Sequence, residues 1–138
     1  MSDKQMRPDP IQRVDSAFFW EACERGELVA QKFAGSDKLW HPPRPMCPDT
    51  GSTDKQEQRL SGKGVVMSWA QPIRPAAFGF SENPIVGLIQ LEEGLRFVAT
   101  IEGVDEDTVK AGMAVEVDFV KSSGGKAVPV FRPIGGGA

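Results

Sequence analysis

Few side chains in this sequence could drive a reaction near neutral pH. The 138 residues contain one histidine, His41, and two cysteines, Cys23 and Cys47. Nucleophilic catalysis needs a nucleophile beside a base that a third group orients, and no such set can be assembled around Cys47. The sequence also lacks a GxSxG motif, a Walker loop and a dinucleotide-binding fingerprint. We therefore expect no catalytic set within the chain.

Charged side chains in the loops indicate binding rather than catalysis. Arg44 lies between prolines, Arg74 in a loop and Arg132 near the C-terminus, and each could meet a phosphate or a partner carboxylate. The alternative for each arginine is an exposed or locally paired side chain. Glu92 and Glu93 are neighbours at a predicted hairpin tip, where we expect solvated turn residues.

Composition limits the classes of partner. The net charge is −3 and the sequence pI is about 5.2, whereas nucleic-acid binding needs clustered Lys and Arg. No apolar run approaches the roughly 18 residues that span a bilayer, and the N-terminal residues MSDKQMRPDP form no signal peptide. We therefore expect a cytoplasmic protein that binds neither nucleic acid nor membrane, with Cys23 and Cys47 as separate thiols.

The stretch from Pro84 to Val104 predicts the centre of the fold. Residues 95–101 alternate between apolar and polar side chains, which is typical of a half-buried strand. Residues 85–91 are apolar at nearly every position, so a strand there would have both faces covered. The intervening Glu92-Glu93-Gly94 predicts a hairpin with a bulged three-residue turn.

Further strands extend this hairpin into a mainly β domain. Residues 64–71, 114–120 and 127–131 predict three strands, with Pro129 placing the last at a sheet edge. Residues 105–111 fit one capped helical turn. An SH3-like barrel is an alternative, but the strand count and the helical turn before the fourth strand favour a five-stranded OB-fold Greek-key barrel.

The N-terminal residues predict an arm and a helix. Residues 1–14 are polar and contain two prolines, which is typical of a flexible arm. Asp15 is expected to cap a helix that ends at Gly26, and Val14 and Phe19 fit a hydrophobic staple.

The residues between this helix and the barrel give a weaker pattern. Residues 28–33 predict a short strand. The run 34–52 is rich in Pro and Gly, and we expect no regular structure in it. Residues 54–60 predict either a linker or the start of a strand.

Large apolar rings exceed the needs of one small core. Phe18, Phe19 and Trp20 are consecutive on the predicted helix, and Phe78 and Phe80 lie in a proline-bounded loop. These rings either pack on the protein's own core and cap the barrel, or they are exposed for a partner. Interface anchors are typically aromatics with an arginine nearby. The candidate partner-binding residues are Phe18, Trp20, Arg74, Phe78 and Phe80.

Five segments in a fixed order carry a resemblance to a known family: FFWEACERGELVAQKF, HPPRPMCPDTGS, LEEGLRFVATIEGV, VKAGMAVEVDF and VPVFRP. The sequence resembles the rubredoxin-like zinc ribbon plus OB-fold proteins that accompany thiolase-superfamily enzymes. The resemblance covers residues 15–134. Members of the family accompany thiolases, hydroxymethylglutaryl-CoA synthases, polyketide-type acyltransferases and steroid side-chain aldolases.

The resemblance implies a zinc site whose ligands are degenerate. The four ligand positions of the family fall on Phe33, Ser36, Cys47 and Thr50, and only Cys47 is a thiol. A structural zinc ion needs four ligands, nearly always Cys or His, and His41 is the only histidine. We therefore expect no metal, with Phe33 filling the vacated space and Cys47 acting as a small buried hydrophobe.

The resemblance also implies a function, that of a non-catalytic accessory subunit of a thiolase or a side-chain retro-aldolase. A thiolase-like or lipid-transfer-protein-like partner would do the chemistry and hold most of the acyl-CoA. This chain would stabilise that partner in a hetero-oligomer and shape its substrate opening. Arg44 and Arg132 are candidate contacts to CoA, and no cofactor is expected on this chain. The substrate, a steroid or another lipid, and the reaction, whether thiolysis, retro-aldol cleavage or condensation, stay open.

Two functions of other classes compete with this one. An OB-fold nucleic-acid-binding protein needs a basic groove with stacking aromatics, but the chain is acidic and contains no tyrosine. An independent acyl-CoA enzyme would need turnover by this chain alone. The expected organisation is an arm (1–14), a helix with a metal-free zinc-ribbon-like segment (15–60), an OB-fold barrel (61–134) and a flexible tail (135–138).

The purified protein is expected to carry no stoichiometric zinc, because three of the four ligand positions lack a thiol. Elemental analysis checks this, and one zinc per chain would contradict it. A chelator is likewise expected to leave the melting temperature unchanged, since no metal-binding free energy is coupled to folding.

Overall fold

The structure is a computed structural model that describes residues 7–73, 80 and 83–134. It contains one short helix, a three-stranded sheet and a five-stranded sheet. Within the described residues, no helix is long and apolar enough to cross a membrane.

The N-terminal helix begins later than the sequence predicts. A 3₁₀ turn, η1 (Val14–Ser16), leads into α1 (Ala17–Glu24). Asp15 therefore lies in the turn and does not cap the helix. The reason is local, because the Ser16 hydroxyl accepts a hydrogen bond from Arg13 N–H (3.1 Å) and stabilises the turn instead. The predicted staple is also wrong, since Val14 is 94% exposed.

The end of α1 is the one that the sequence predicts. Glu27 N–H donates to Ala22 O, and Gly26 N–H donates to Cys23 O, each at 2.9 Å. This pair of bonds is a Schellman motif, which requires a left-handed residue after the cap. Gly26 supplies it with φ of 78°.

The three-stranded sheet consists of β1 (Val29–Phe33), β2 (Leu39–Trp40) and β3 (Lys55–Arg59), in the order β2-β1-β3. We call it the ribbon sheet. The prediction that residues 34–52 lack regular structure is wrong at β2, which pairs with β1 at Gln31↔Trp40 and Lys32↔Leu39. A strand of two residues is too short to show the alternation of apolar and polar side chains that predicts a strand. Within residues 54–60 the chain forms the strand β3 rather than a linker, and every side chain of β3 is exposed.

The five-stranded sheet forms the predicted OB-fold barrel. Its strands are β4 (Lys63–Ala70), β5 (Val86–Leu91), β6 (Arg96–Thr100), β7 (Ala114–Lys121) and β8 (Ala127–Pro133). They are ordered β6-β5-β4-β7-β8 and pair antiparallel. A parallel bridge between Ile101 and Phe131 then joins the two edge strands. This closure of the third strand onto the fifth is the OB-fold connection.

The central hairpin is confirmed. β5 and β6 pair from Val86↔Thr100 to Gln90↔Arg96. In the turn, Gly94 N–H donates to Leu91 O at 2.9 Å, and Gly94 has φ of 91°. A side chain at this position would be strained, so the glycine predicted there is required by the backbone.

One hydrophobic core joins the helix, β1 and the barrel. Its fully buried members include Ala22 and Val29 from the N-terminal part, and Ile89, Val115 and Phe131 from the barrel. Barrel and N-terminal segment are therefore packed together rather than linked as separate units.

An aromatic stack forms the centre of this junction. The ring centroids of His41 and Phe97 lie 3.7 Å apart at 14°, and those of Phe19 and His41 lie 5.5 Å apart. Burial lowers the pKa of His41 from 6.5 to about 4, because no charge or hydrogen bond compensates the loss of solvent. His41 is therefore neutral in the folded protein at pH 7.

His41 is expected to make the fold sensitive to mild acid. Its folded pKa lies below its unfolded value, so its share of stability is complete above pH 6.5 and is lost as the pH falls towards 4. The linkage amounts to up to about 3 kcal/mol. Urea denaturation measures the free energy of unfolding at pH 7 and at pH 4. Between these two pH values, His41→Phe, which keeps a ring in the stack, should lose less of this free energy than the wild type. Equal losses would contradict this assignment, since the carboxylates titrate in both proteins.

Candidate functional site

The degenerate metal positions close two tight turns in the ribbon segment. In the first, Ser36 N–H donates to Phe33 O at 3.2 Å. In the second, Gly51 N–H donates to Cys47 O at 2.9 Å, and the Thr50 hydroxyl accepts from Ser52 N–H at 3.2 Å. A side-chain hydrogen bond from Thr50 lowers the pKa of Cys47, with smaller contributions from backbone N–H groups of the same turn.

These residues do not fit a structural zinc ion. Phe33 is 1% exposed and offers no donor atom, and the Thr50 hydroxyl already accepts a hydrogen bond from Ser52 N–H at 3.2 Å. The only histidine is stacked on Phe97. Within the described residues, no group of three or more His, Cys, Asp or Glu side chains is arranged to hold a metal.

The two cysteines are separate thiols, as predicted. Cys23 and Cys47 are both free and buried. Burial raises the pKa of Cys23 to about 12, with a further contribution from Glu24. Cys23 is therefore an inert core residue at neutral pH.

Two of the candidate partner-binding residues lie on α1 and are half-buried. Phe18 and Trp20 both pack against the core, and Trp20 meets Phe19 edge-to-face with centroids 5.1 Å apart at 87°. Phe18 also lines a cleft of about 250 Å³ between the helix and β3. The other residues lining this cleft are Gln31, Lys55, Gln56 and Glu57.

Of the candidate residues in the loop, the structure describes Phe80. Arg74 and Phe78 lie outside the described residues. Phe80 is half-buried, and the Arg7 guanidinium lies 5.0 Å from the centroid of its ring. Phe80 is therefore held beside the barrel by Arg7, a residue that the sequence analysis did not single out.

Arg44 is positioned by a buried amide. Gln31, 1% exposed, donates from Nε2 to Arg44 O (2.8 Å) and accepts from Arg44 N–H at Oε1 (2.7 Å). The Arg44 guanidinium lies 5.2 Å from the centroid of Trp40, and Lys38 Nζ lies 4.4 Å from the same ring. The sequence signal for this arrangement is Gln31 itself, a polar residue at a buried position of β1.

Arg132 lies on the barrel and is paired locally. Its Nε donates to Asp118 Oδ2 at 2.6 Å. The Arg132 hydrogen bond lowers the pKa of Asp118, followed by a backbone hydrogen bond from Phe119. Arg44 lies in the loop between β2 and β3, whereas Arg132 lies on β8, and a CoA contact by either remains a prediction.

Comparison with known proteins relates this geometry to a family. A family profile described as "ChsH2, C-terminal OB-fold domain" matches residues 57–120. A probable enoyl-CoA hydratase alpha subunit of Thermomonospora curvata is 36% identical over 130 residues, covering 94% of this chain and 41% of that protein. A 3-oxo-4,17-pregnadiene-20-carboxyl-CoA hydratase alpha subunit of Mycobacterium tuberculosis is 32% identical over 118 residues, covering 86% and 37%. The chain spans about two fifths of the length of these two relatives.

Shorter relatives match over most of their length. A DUF35 domain-containing scaffold protein of Methanocaldococcus jannaschii is 30% identical over 119 residues, which cover 80% of this chain and 84% of that protein. This chain belongs to the DUF35 family. A chain of the solved Ltp2-ChsH2(DUF35) aldolase has the same fold, with a TM-score of 0.84 and 35% identity over 91% of this DUF35 chain and 98% of that chain.

Gln31→Leu is expected to destabilise the fold by about 1–3 kcal/mol, because it leaves the Arg44 N–H and C=O without their partner in a partly buried site. Chemical denaturation measures the change. Gln58→Leu, at an exposed position of the neighbouring strand β3, is the matched control and should change stability by less than about 0.5 kcal/mol. Equal effects of the two substitutions would contradict the positioning role of Gln31.

Proposed function

We propose that this chain is a non-catalytic accessory subunit of an acyl-CoA enzyme that makes or breaks carbon–carbon bonds. The partner is a thiolase-like or lipid-transfer-protein-like subunit, and the two form a hetero-oligomer. The partner holds most of the acyl-CoA and supplies the reacting groups. This chain stabilises the partner and shapes the opening of its substrate site. A cytoplasmic location is part of the same proposal.

The observation that carries the proposal is the agreement with the Ltp2-ChsH2(DUF35) aldolase chain. The match covers 91% of this chain at 35% identity, so it extends through the ribbon sheet as well as the barrel. Among the reactions left open, it favours retro-aldol cleavage of an acyl-CoA. The pregnadiene-carboxyl-CoA relative favours a steroid or similarly bulky acyl group.

The chemistry of the described residues supports a non-catalytic role. Acyl-CoA cleavage needs a positioned base or nucleophile close to neutral pH. His41 is stacked between rings, and burial holds its pKa near 4. Cys23 is buried with a pKa near 12, and Cys47 is fully covered and bonded within its own turn.

The two hydratase subunits are more than twice as long as the segment that they share with this chain. Their names therefore do not assign a hydratase activity to this chain. The nucleic-acid alternative gains no support from the relatives.

Co-expression with a candidate thiolase-like or lipid-transfer-protein-like subunit from the same organism, followed by co-purification, tests the proposal. We expect a stable complex, with acyl-CoA cleavage by the complex and none by this chain alone. Failure to co-purify under low and physiological salt would contradict the proposal, as would turnover by this chain alone.

Trp20→Ala and Phe18→Ala are expected to weaken the complex by roughly 2 kcal/mol or more, because half-buried aromatic rings on one helix, of which Phe18 also lines the apolar cleft, are typical interface anchors. Pull-down and titration with the partner measure this, and melting of the isolated subunit reports the cost to its own core. Val98→Ser, at a 71% exposed site on the outer face of β6, is the control. If Val98→Ser weakens binding and the helix variants do not, the interface lies on the sheet and the assignment to α1 is wrong.

A further inference from the structure

The first described residues of the chain bind where the barrel closes. We call the junction of β6 with β8 the seam. It is formed by the bridge between Ile101 and Phe131 and by a hydrogen bond from Glu102 N–H to Phe131 O at 2.8 Å. The other neighbouring strands pair over longer registers, such as Val115↔Pro133 to Lys121↔Ala127 between β7 and β8. The seam is therefore the shortest junction of the sheet.

Arg7 contacts the β6 side of the seam. Its guanidinium donates to Thr100 Oγ1 at 3.3 Å and to Glu102 Oε2 at 3.2 Å, and the Arg7 side chain is only 14% exposed. The same guanidinium lies over the ring of Phe80. The Arg7 side chain thus joins Phe80 to the end of β6, and both lie more than 70 positions after Arg7 in the sequence.

Asp9 contacts the turn between β7 and β8. Asp9 Oδ1 accepts from the Ser122 hydroxyl (2.5 Å) and from Gly124 N–H (2.7 Å). Ser123 N–H donates to Arg7 O at 2.9 Å. The Ser122 hydrogen bond is the main reason that the pKa of Asp9 lies below its usual value.

This turn is shaped for the carboxylate. Ser122 is 1% exposed, although it lies in a surface turn. A Cβ at Gly124 would overlap both carboxylate oxygens of Asp9, whereas the backbone of Gly124 is not in the left-handed region. The glycine therefore leaves room for Asp9 rather than relieving backbone strain.

We propose that residues 7–9 form a clasp that holds the seam of the barrel closed and fixes Phe80 beside it. The clasp is made of hydrogen bonds and one ion pair, so it can open while the rest of the barrel stays folded. It couples the N-terminal segment to a ring that is a candidate partner contact. The proposal depends on the contacts of this chain alone and not on the accessory-subunit function.

Amide hydrogen exchange by NMR on the full chain tests the clasp. The Glu102 amide crosses the seam, and the Ile89 amide in the middle of the sheet serves as reference. Asp9→Ala should speed exchange at Glu102 by about tenfold or more and leave Ile89 unchanged. Arg7→Gln should act in the same direction, while Arg13→Gln, which removes the same charge from an exposed position, should not.

Gly124→Ala gives an independent test, because the three atoms nearest to the added Cβ all belong to Asp9. It should reproduce the Asp9→Ala effect in the wild type and add nothing in an Asp9→Ala background. An unchanged Glu102 amide in Asp9→Ala and Gly124→Ala would overturn the proposal. So would a Gly124→Ala effect that persists without Asp9, or equal acceleration at Glu102 and Ile89, since the segment would then stabilise the whole fold and not the seam.

Discussion

The stack of Phe19, His41 and Phe97 is the contact on which the arrangement of the rest depends. The three rings come from the helix, from the residue after β2 and from the barrel strand β6. Aromatic stacking adds about 0.5–1.5 kcal/mol to the burial of each pair. Burial keeps His41 neutral within this stack, and this links the packing of the helix to the protonation of His41.

The ribbon sheet illustrates why the packing of the N-terminal segment against the barrel matters. Small sheets without a metal or a disulfide bury too little surface to be stable alone, and β3 contributes no buried side chain. The sheet instead shares the core of the barrel through Leu28, Val29 and Ala30. Hydrogen bonds close its two turns at the positions where the resemblance to the family implies a metal. A further pair of hydrogen bonds joins Gln31 to the backbone of Arg44. Such bonds break one at a time, whereas a metal would hold both turns at once.

The sequence analysis succeeded where structure follows from local pattern. The alternation of residues 95–101, the turn at Gly94 and the stop at Gly26 each depend on near neighbours, and each is confirmed. β2 was missed because two residues carry no period. The contacts of Gln31 and of Arg7 were missed because their partners lie 13 and more than 90 residues away. The choice between exposed and paired arginine likewise depends on long-range neighbours, and for Arg132 the structure supplies Asp118.

Burial favours the helix over the outer sheet face as the docking surface. Val98 is 71% exposed and would contribute little area as a single small side chain. Phe18 and Trp20 are already ordered by contact with the core, yet each keeps part of its ring free. Association is opposed by the cost of immobilising side chains, about 0.5–1.5 kcal/mol for each flexible one. Rings that the fold has already fixed avoid most of that cost, and the cleft beside Phe18 offers an apolar surface for a partner side chain.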